Sequence, residues 1–120
     1  MGNLENSIED FKRALETKTE KATCYNNLGL SHFENEEFDE AVLDFDKAIQ
    51  YDPDSACHYN NRGLAYFHYD KLKKAEKDFN KAHEKDPNDP TILFNRGNVY
   101  LNWTDRDDDD EEGVVTIKRG

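Results

Sequence analysis

The stretch Asp44-Phe45-Asp46-Lys47-Ala48 returns as Asp78-Phe79-Asn80-Lys81-Ala82 and has an upstream counterpart in Asp10-Phe11-Lys12-Arg13-Ala14, each time at a distance of 34 residues. The same offset carries Tyr25-Asn26-Asn27-Leu28-Gly29 onto Tyr59-Asn60-Asn61-Arg62-Gly63, then onto Leu93-Phe94-Asn95-Arg96-Gly97. A repeat of this length is a single supersecondary unit that cannot bury its apolar face alone, so the units must stack. Within a unit, Tyr25, Leu28 and His32, then Ala41, Phe45 and Ala48, recur at three- and four-residue steps, the period of a helix and not of a strand. Each unit is therefore a pair of helices. Pro53 and Pro87 cannot continue the second helix of their units, and Asp54 and Asn88 are placed to cap the helix that follows. The pattern predicts helices at about 3–17, 20–34, 37–51, 54–68, 71–85 and 89–102.

The helix-interior glycines Gly29, Gly63 and Gly97 are expected where a neighbouring helix approaches closely, since glycine there costs about 1 kcal/mol relative to alanine. Phe11, Phe45 and Phe79 are expected to fill the layers between units. Composition fits such thin layers: 35% of residues are hydrophobic and 36% charged. A net charge of -11 argues against nucleic acid as a partner, because phosphate contacts need a basic surface, and favours proteins with basic segments. The two cysteines, Cys24 and Cys57, have neither metal-ligand spacing nor the framework of a small secreted domain, which points to free thiols in a reducing compartment. No apolar run reaches the length of a membrane span. The cytoplasm is the default location, and nothing in the chain separates it from nucleus or cilium.

These residues resemble the tetratricopeptide repeat, whose pattern of an aromatic residue, Leu-Gly, Tyr, Ala, Phe and Pro over 34 residues is met by Tyr25, Leu28-Gly29, Ala41, Phe45 and Pro53. The next unit meets it with Tyr59, Gly63, Tyr66, Ala75, Phe79 and Pro87. His32 replaces a tyrosine, and Arg62 and Arg96 replace a leucine. The resemblance implies an all-α solenoid of antiparallel helix pairs, about six helices in all. It divides the chain into the second helix of a truncated repeat (1–19), two repeats (20–53 and 54–87), the first helix of a further repeat (88–103) and an acidic, disordered tail (104–120).

In proteins of this family the stacked first helices line a concave groove. On a helical wheel, Asn27 lies opposite the packed side of its helix, with Asn26 at the edge, and Asn61 and Asn95 take the same place one repeat on. Asn27, Asn61 and Asn95 then form a ladder, flanked by Asn26, Asn60 and Asn98. A side-chain amide donates and accepts at once, which suits the backbone of an extended peptide. Leu30, Leu64, Phe33 and Phe67 are available as shallow pockets. The alternative for the asparagines is contact between helices. Some family members grip the terminal EEVD carboxylates of heat-shock chaperones through a clamp of Lys and Asn, a further Asn, then Lys and Arg. Only Asn61 matches it: Asn26 and Leu30, and Thr91 and Asn95, stand where the clamp has its other residues, so that carboxylate has no cation to meet.

Other constellations are weaker. The lysines Lys71, Lys73, Lys74, Lys77, Lys81 and Lys85 read as a solvated outer face. In the tail, Asp108, Asp110, Glu112 and Gly113 imitate the front of a calcium loop, but Arg119 stands where the loop needs a bidentate glutamate. The tail, with seven acids against three bases, could instead fold along the groove as an autoinhibitory segment. His32, His58, His68 and His83 form no nucleophile–base pair with the cysteines and no metal site. The expectation is a protein-interaction module, a scaffold or adaptor, without catalytic residues, metal or cofactor. It binds an extended peptide or partner helix. The alternative is a structural unit that joins further copies of itself through its open terminal helix faces.

Overall fold

A computed structural model describes residues 4–103, with side chains for residues 12, 13 and 16–103. All described secondary structure is helical: α1 (Leu4–Glu34), α2 (Phe38–Tyr51), α3 (Ala56–His68), α4 (Leu72–Lys85) and α5 (Pro90–Leu101). The expectations for the acidic tail, its calcium-loop likeness and its autoinhibitory contact fall outside these residues, as do the side chains of Phe11, Leu4, Ile8 and Leu15.

Five helices stand where six were expected, because the first two are one. The expected break at 17–20 reads Thr17-Lys18-Thr19-Glu20, with Thr19 at the position held by Pro53 and Pro87 in the later units. Nothing there removes a backbone donor or a side chain, so the helix runs on. Thr17 even donates its hydroxyl back to the carbonyl of Arg13 at 2.9 Å, a bond made inside a continuing helix. At 31 residues, α1 is about 46 Å long, and the segment 4–17 does not turn back to pack on the next unit.

From Phe38 onward the expected order holds. α1 packs on α2 and α3 on α4, α2 and α4 also touch the following first helix, and α1, α3 and α5 lie side by side. The turns inside pairs end on left-handed residues, Glu36 (φ 63) and Asp70 (φ 68). There the amides of Glu37 and Lys71 reach back to the carbonyls of His32 and Tyr66, each at 2.8 Å, the six-to-one bond of a Schellman closure. Between pairs, Pro53 and Pro87 sit in turns closed by Ser55 onto Asp52 (3.5 Å) and Asp89 onto Asp86 (3.4 Å). These turns consume Asp54 and Asn88, so the expected caps shift: Ser55 begins α3, and Asp89 caps α5 by accepting from the amide of Thr91.

Two clusters make the core. Ala41, Val42, Phe45 and Ala65 form one, and Tyr59, Leu72, Ala75, Phe79, Ala82, Ile92 and Val99 the other. Phe45 and Phe79 are fully buried, but within their own pairs and not in the expected layer between units, because each ring lies against the glycine of the facing first helix. A Cβ on Gly29 would stand 2.5 Å from Cε1 of Phe45, and one on Gly63 2.7 Å from Cε1 of Phe79. Gly97 departs from this expectation, having nothing within 4 Å, because no second helix faces α5 among the described residues.

Alanine at the two positions should therefore act in opposite directions. Gly63→Ala forces a ring out of a packed core and should lower stability by about 1–3 kcal/mol. Gly97→Ala removes only a flexible residue from an open helix face and should raise stability by up to about 1 kcal/mol. Thermal unfolding followed by circular dichroism checks the pair.

Candidate functional site

The three asparagines of the ladder sit on α1, α3 and α5 at one height per repeat, but in different settings. Asn27 is exposed, Asn61 half-buried and Asn95 buried. Asn61 donates from Nδ2 to Oδ1 of Asn26 at 2.9 Å, and Asn95 from Nδ2 to Oδ1 of Asn60 at 3.0 Å. The Asn60-Asn61 doublet thus gives one bond to the helix before it and takes one from the helix after it, while Asn26 only accepts and Asn95, preceded by Phe94, only donates. Part of the ladder's capacity is spent on joining first helices, the use that the sequence left open as the alternative. A carboxamide carries two donors and two acceptor sites, and the remaining donor of Asn61 contacts Sγ of Cys57 at 3.5 Å. Asn98 is half-buried, and its carbonyl accepts from Nδ2 of Asn102 at 2.8 Å.

The apolar positions are likewise divided. Leu30 is 38% exposed, while Leu64 and Phe67 pack onto the larger core cluster and Phe33 onto the smaller. Phe33 and Phe67 meet the imidazole of His68, at 5.2 and 5.4 Å between ring centroids, with Phe38 stacked on it at 5.3 Å. Instead of separate shallow pockets, the phenylalanines belong to one aromatic group at the C-terminal ends of α1 and α3. Spacing along single helices could not reveal this, because Phe38 and His68 come from different units.

His58 lies beneath the wall, 7% exposed, with Nδ1 3.3 Å from Oδ1 of Asn26. Burial holds its pKa below the ordinary histidine range, opposed by the charge of Asp52. His32 behaves oppositely. Its hydrogen bond to Glu37, at 2.7 Å, raises its pKa despite some desolvation, and Asp44 at 3.5 Å adds to the rise.

The residue that sequence reading missed is Arg62, taken there only as a departure from leucine. Its Nε and Nη2 donate to the two carboxylate oxygens of Asp78 at 2.8 and 2.7 Å, and Nη1 donates to Asp46. One guanidinium thereby ties α3 to both second helices beside it. Asp78 is 5% exposed, so its charge depends on this partner. Arg96 repeats half of the arrangement, donating from Nη1 to Asn80 at 2.7 Å. A signal was present in the sequence: Arg62 and Asp46 recur together as Arg96 and Asn80. In the first unit Leu28 takes the arginine's place, and Oδ2 of Asp44, the counterpart of Asp78, is buried without a hydrogen bond.

A separate depression of about 440 Å³ between α1 and the end of α2 is lined by Thr17, Glu20, Lys21, Cys24, Tyr25 and Tyr51, none of them expected in the groove. Cys24 and Cys57 are free and exposed. No group of three or more His, Cys, Asp or Glu residues able to hold a metal ion occurs among the described residues, and no described helix is long and apolar enough to cross a membrane.

A family profile described as the tetratricopeptide repeat matches residues 22–55 and 56–89, more than half of the chain. No curated protein matches it in sequence. Among solved structures, the second such domain of Spaghetti (RPAP3) bound to the HSP90 peptide SRMEEVD superposes with a TM-score of 0.71 at 25% identity, covering 74% of this chain and 82% of that one. The first domain of the same protein, with the same peptide, gives 0.67 at 28% identity, covering 69% and 68%. The Arabidopsis OM64 domain gives 0.68 at 23% identity over 70% and 69%, a likeness of fold alone.

Removing the guanidinium should be costly. Arg62→Leu leaves Asp78 buried and unpaired and should lower stability by about 3–5 kcal/mol, read from urea unfolding. The two histidines should separate by NMR, His58 titrating below and His32 above the ordinary value of about 6.5. A lowered folded pKa means that the unfolded chain binds the proton more readily, so His58 weakens the fold as pH falls through the histidine range. His32, with a raised pKa, contributes stability below that range and loses it as pH rises. The His32→Ala variant should therefore lose stability more steeply than the parent chain between pH 7 and 5.

Proposed function

The chain belongs to the tetratricopeptide repeat family, and on that premise we propose that it binds an extended peptide or a partner helix along the wall of first helices lined by Asn27, Asn61 and Asn95. The observation that carries this reading is the carboxamide bonding between successive first helices, Asn61 to Asn26 and Asn95 to Asn60. It keeps a carboxamide at the same level of each repeat, one rung per first helix. Asn27 and Leu30 supply the open end of the wall, and Asn26, Asn60, Asn98 and Leu64 flank it. Phe33 and Phe67 contribute the edges of their aromatic group. Related domains bound to an HSP90 peptide support the peptide-binding part of the reading.

The ligand differs from those peptides in one respect. At the places where a carboxylate clamp would need cations the chain has Asn26, Thr91 and Asn95, and Leu30 replaces a clamp asparagine, so a free terminal carboxylate finds no charged donor. The module reads main chain, and a net charge of -11 favours clients with basic segments. Its role on this reading is that of a cytoplasmic scaffold or adaptor without catalysis of its own.

Selection from a library of unstructured peptides tests it. Selected binders should lose about two- to tenfold in affinity with Asn27→Ala, the size of one hydrogen bond. Asn27 has an exposed side chain, so this variant keeps the fold. The peptide SRMEEVD should bind no more tightly than its C-terminally amidated form. Binders indifferent to Asn27→Ala and Leu30→Ala, or a strong preference for the free carboxylate, would refute the assignment.

A further inference from the structure

α5 is a first helix with no second helix against it among the described residues. Its open face carries Leu93, Arg96, Gly97 and Tyr100, one repeat on from Tyr59, Arg62, Gly63 and Tyr66 of α3. On α3 these positions are covered: Tyr59 is 8% exposed and Gly63 touches the ring of Phe79. On α5, Leu93 is 40% and Tyr100 50% exposed, and the space over Gly97 is empty to 4 Å. Arg96 spends Nη1 on Asn80, as Arg62 spends the same nitrogen on Asp46. On Arg62 the remaining edge, Nε and Nη2, grips Asp78, and no such carboxylate meets Arg96 among the described residues.

What fits such a seat is shown by α4. Its buried residues are Leu72, Ala75, Asp78, Phe79 and Ala82. Two repeats earlier the same five positions read Leu4, Ser7, Asp10, Phe11 and Ala14, four of them identical. The positions one repeat after α4 read Arg106, Asp109, Glu112, Gly113 and Thr116, without the phenyl ring and with two charges where Leu72 and Ala75 are apolar. Residues 4–17 are thus a second helix in sequence, and they run straight into α1 instead of pairing with a first helix of their own. Among the described helices α1 touches only α2 and α3, and α5 only α4 and α3, so the segment 4–17 and the open face of α5 lie at opposite ends of the stack.

We propose that residues 4–17 of one copy dock on α5 of a second copy, rebuilding between chains the pair that α3 and α4 make within one. Phe11 of the first copy fills the space over Gly97 of the second, and Asp10 takes the free edge of Arg96 as Asp78 takes that of Arg62. The contact is heterologous, so it leaves one donor end and one acceptor end open and grows head to tail with concentration. It does not rest on the peptide-binding reading, because it uses the face of α5 that looks toward its missing partner and not the asparagine wall.

Sedimentation of the full chain with two end-blocked variants tests it. Phe11→Asp removes the donor knob, and Gly97→Leu fills the acceptor space, where an added Cβ meets nothing within 4 Å among the described residues. The parent chain should assemble as concentration rises. Each variant alone should stay monomeric to concentrations about a hundredfold higher, as loss of a core phenylalanine contact implies. Their mixture should stop at a dimer, because each supplies one intact end. Circular dichroism of Phe11→Asp confirms that the helices persist, and Asp10→Arg with Arg96→Asp, together but not singly, should restore assembly. A parent chain that remains monomeric overturns the proposal, whether its own residues beyond Trp103 or nothing at all covers α5. So does assembly that survives either variant, or a mixture that stays monomeric.

Discussion

A phenyl ring lying against a glycine backbone sets the spacing of each complete helix pair. Phe45 on Gly29 and Phe79 on Gly63 leave less room than one carbon atom, so the two helices approach more closely than side chains on both would allow. The alanines Ala41, Ala48, Ala75 and Ala82, all fully buried, complete a thin core with no volume for adjustment. Because the same ring-on-glycine contact recurs in both pairs, at 2.5 and 2.7 Å from an added Cβ, the first helices lie side by side and groups one repeat apart come into line. The asparagine wall is a consequence of that packing.

Polar bonds then fix how one pair sits on the next. Hydrophobic layers of this kind are tolerant of small rotations, whereas a bidentate guanidinium is not. Arg62 holds Asp78 and Asp46 at once, and the amides of Asn61 and Asn95 each reach the preceding first helix. The same side chains that build the candidate recognition surface therefore also set its curvature. Asn61 and Asn95 thus serve the stack through the donor side of their amides.

The repeat, the helical class and the burial of Phe45 and Phe79 were legible in the residues because periodicity reports which face a helix buries, whereas the seating of each ring on the glycine of its own pair was not. Pro53 and Pro87 marked their boundaries to within a few residues. The merger of the first two helices was legible only as an absence, a threonine at position 19 where a proline was due. Arg62 was missed because its value lies in Asp46 and Asp78, each 16 residues away on another helix, and no single-helix pattern joins them. The exposure gradient along the ladder, from Asn27 to Asn95, was hidden for the same reason, as was the gathering of Phe33, Phe38, Phe67 and His68. All are properties of neighbours supplied by a different repeat.

The unbroken α1 has a mechanical meaning. A turn between helices is a joint, and where Thr19 replaces proline the joint is gone, so the N-terminal arm and the first helix of the first full repeat are one continuous helix. Each residue along that helix rotates its surface by about 100°. Whatever the arm carries is consequently held at a fixed azimuth to the asparagine wall, and a single inserted or deleted residue would swing it to another side of the stack.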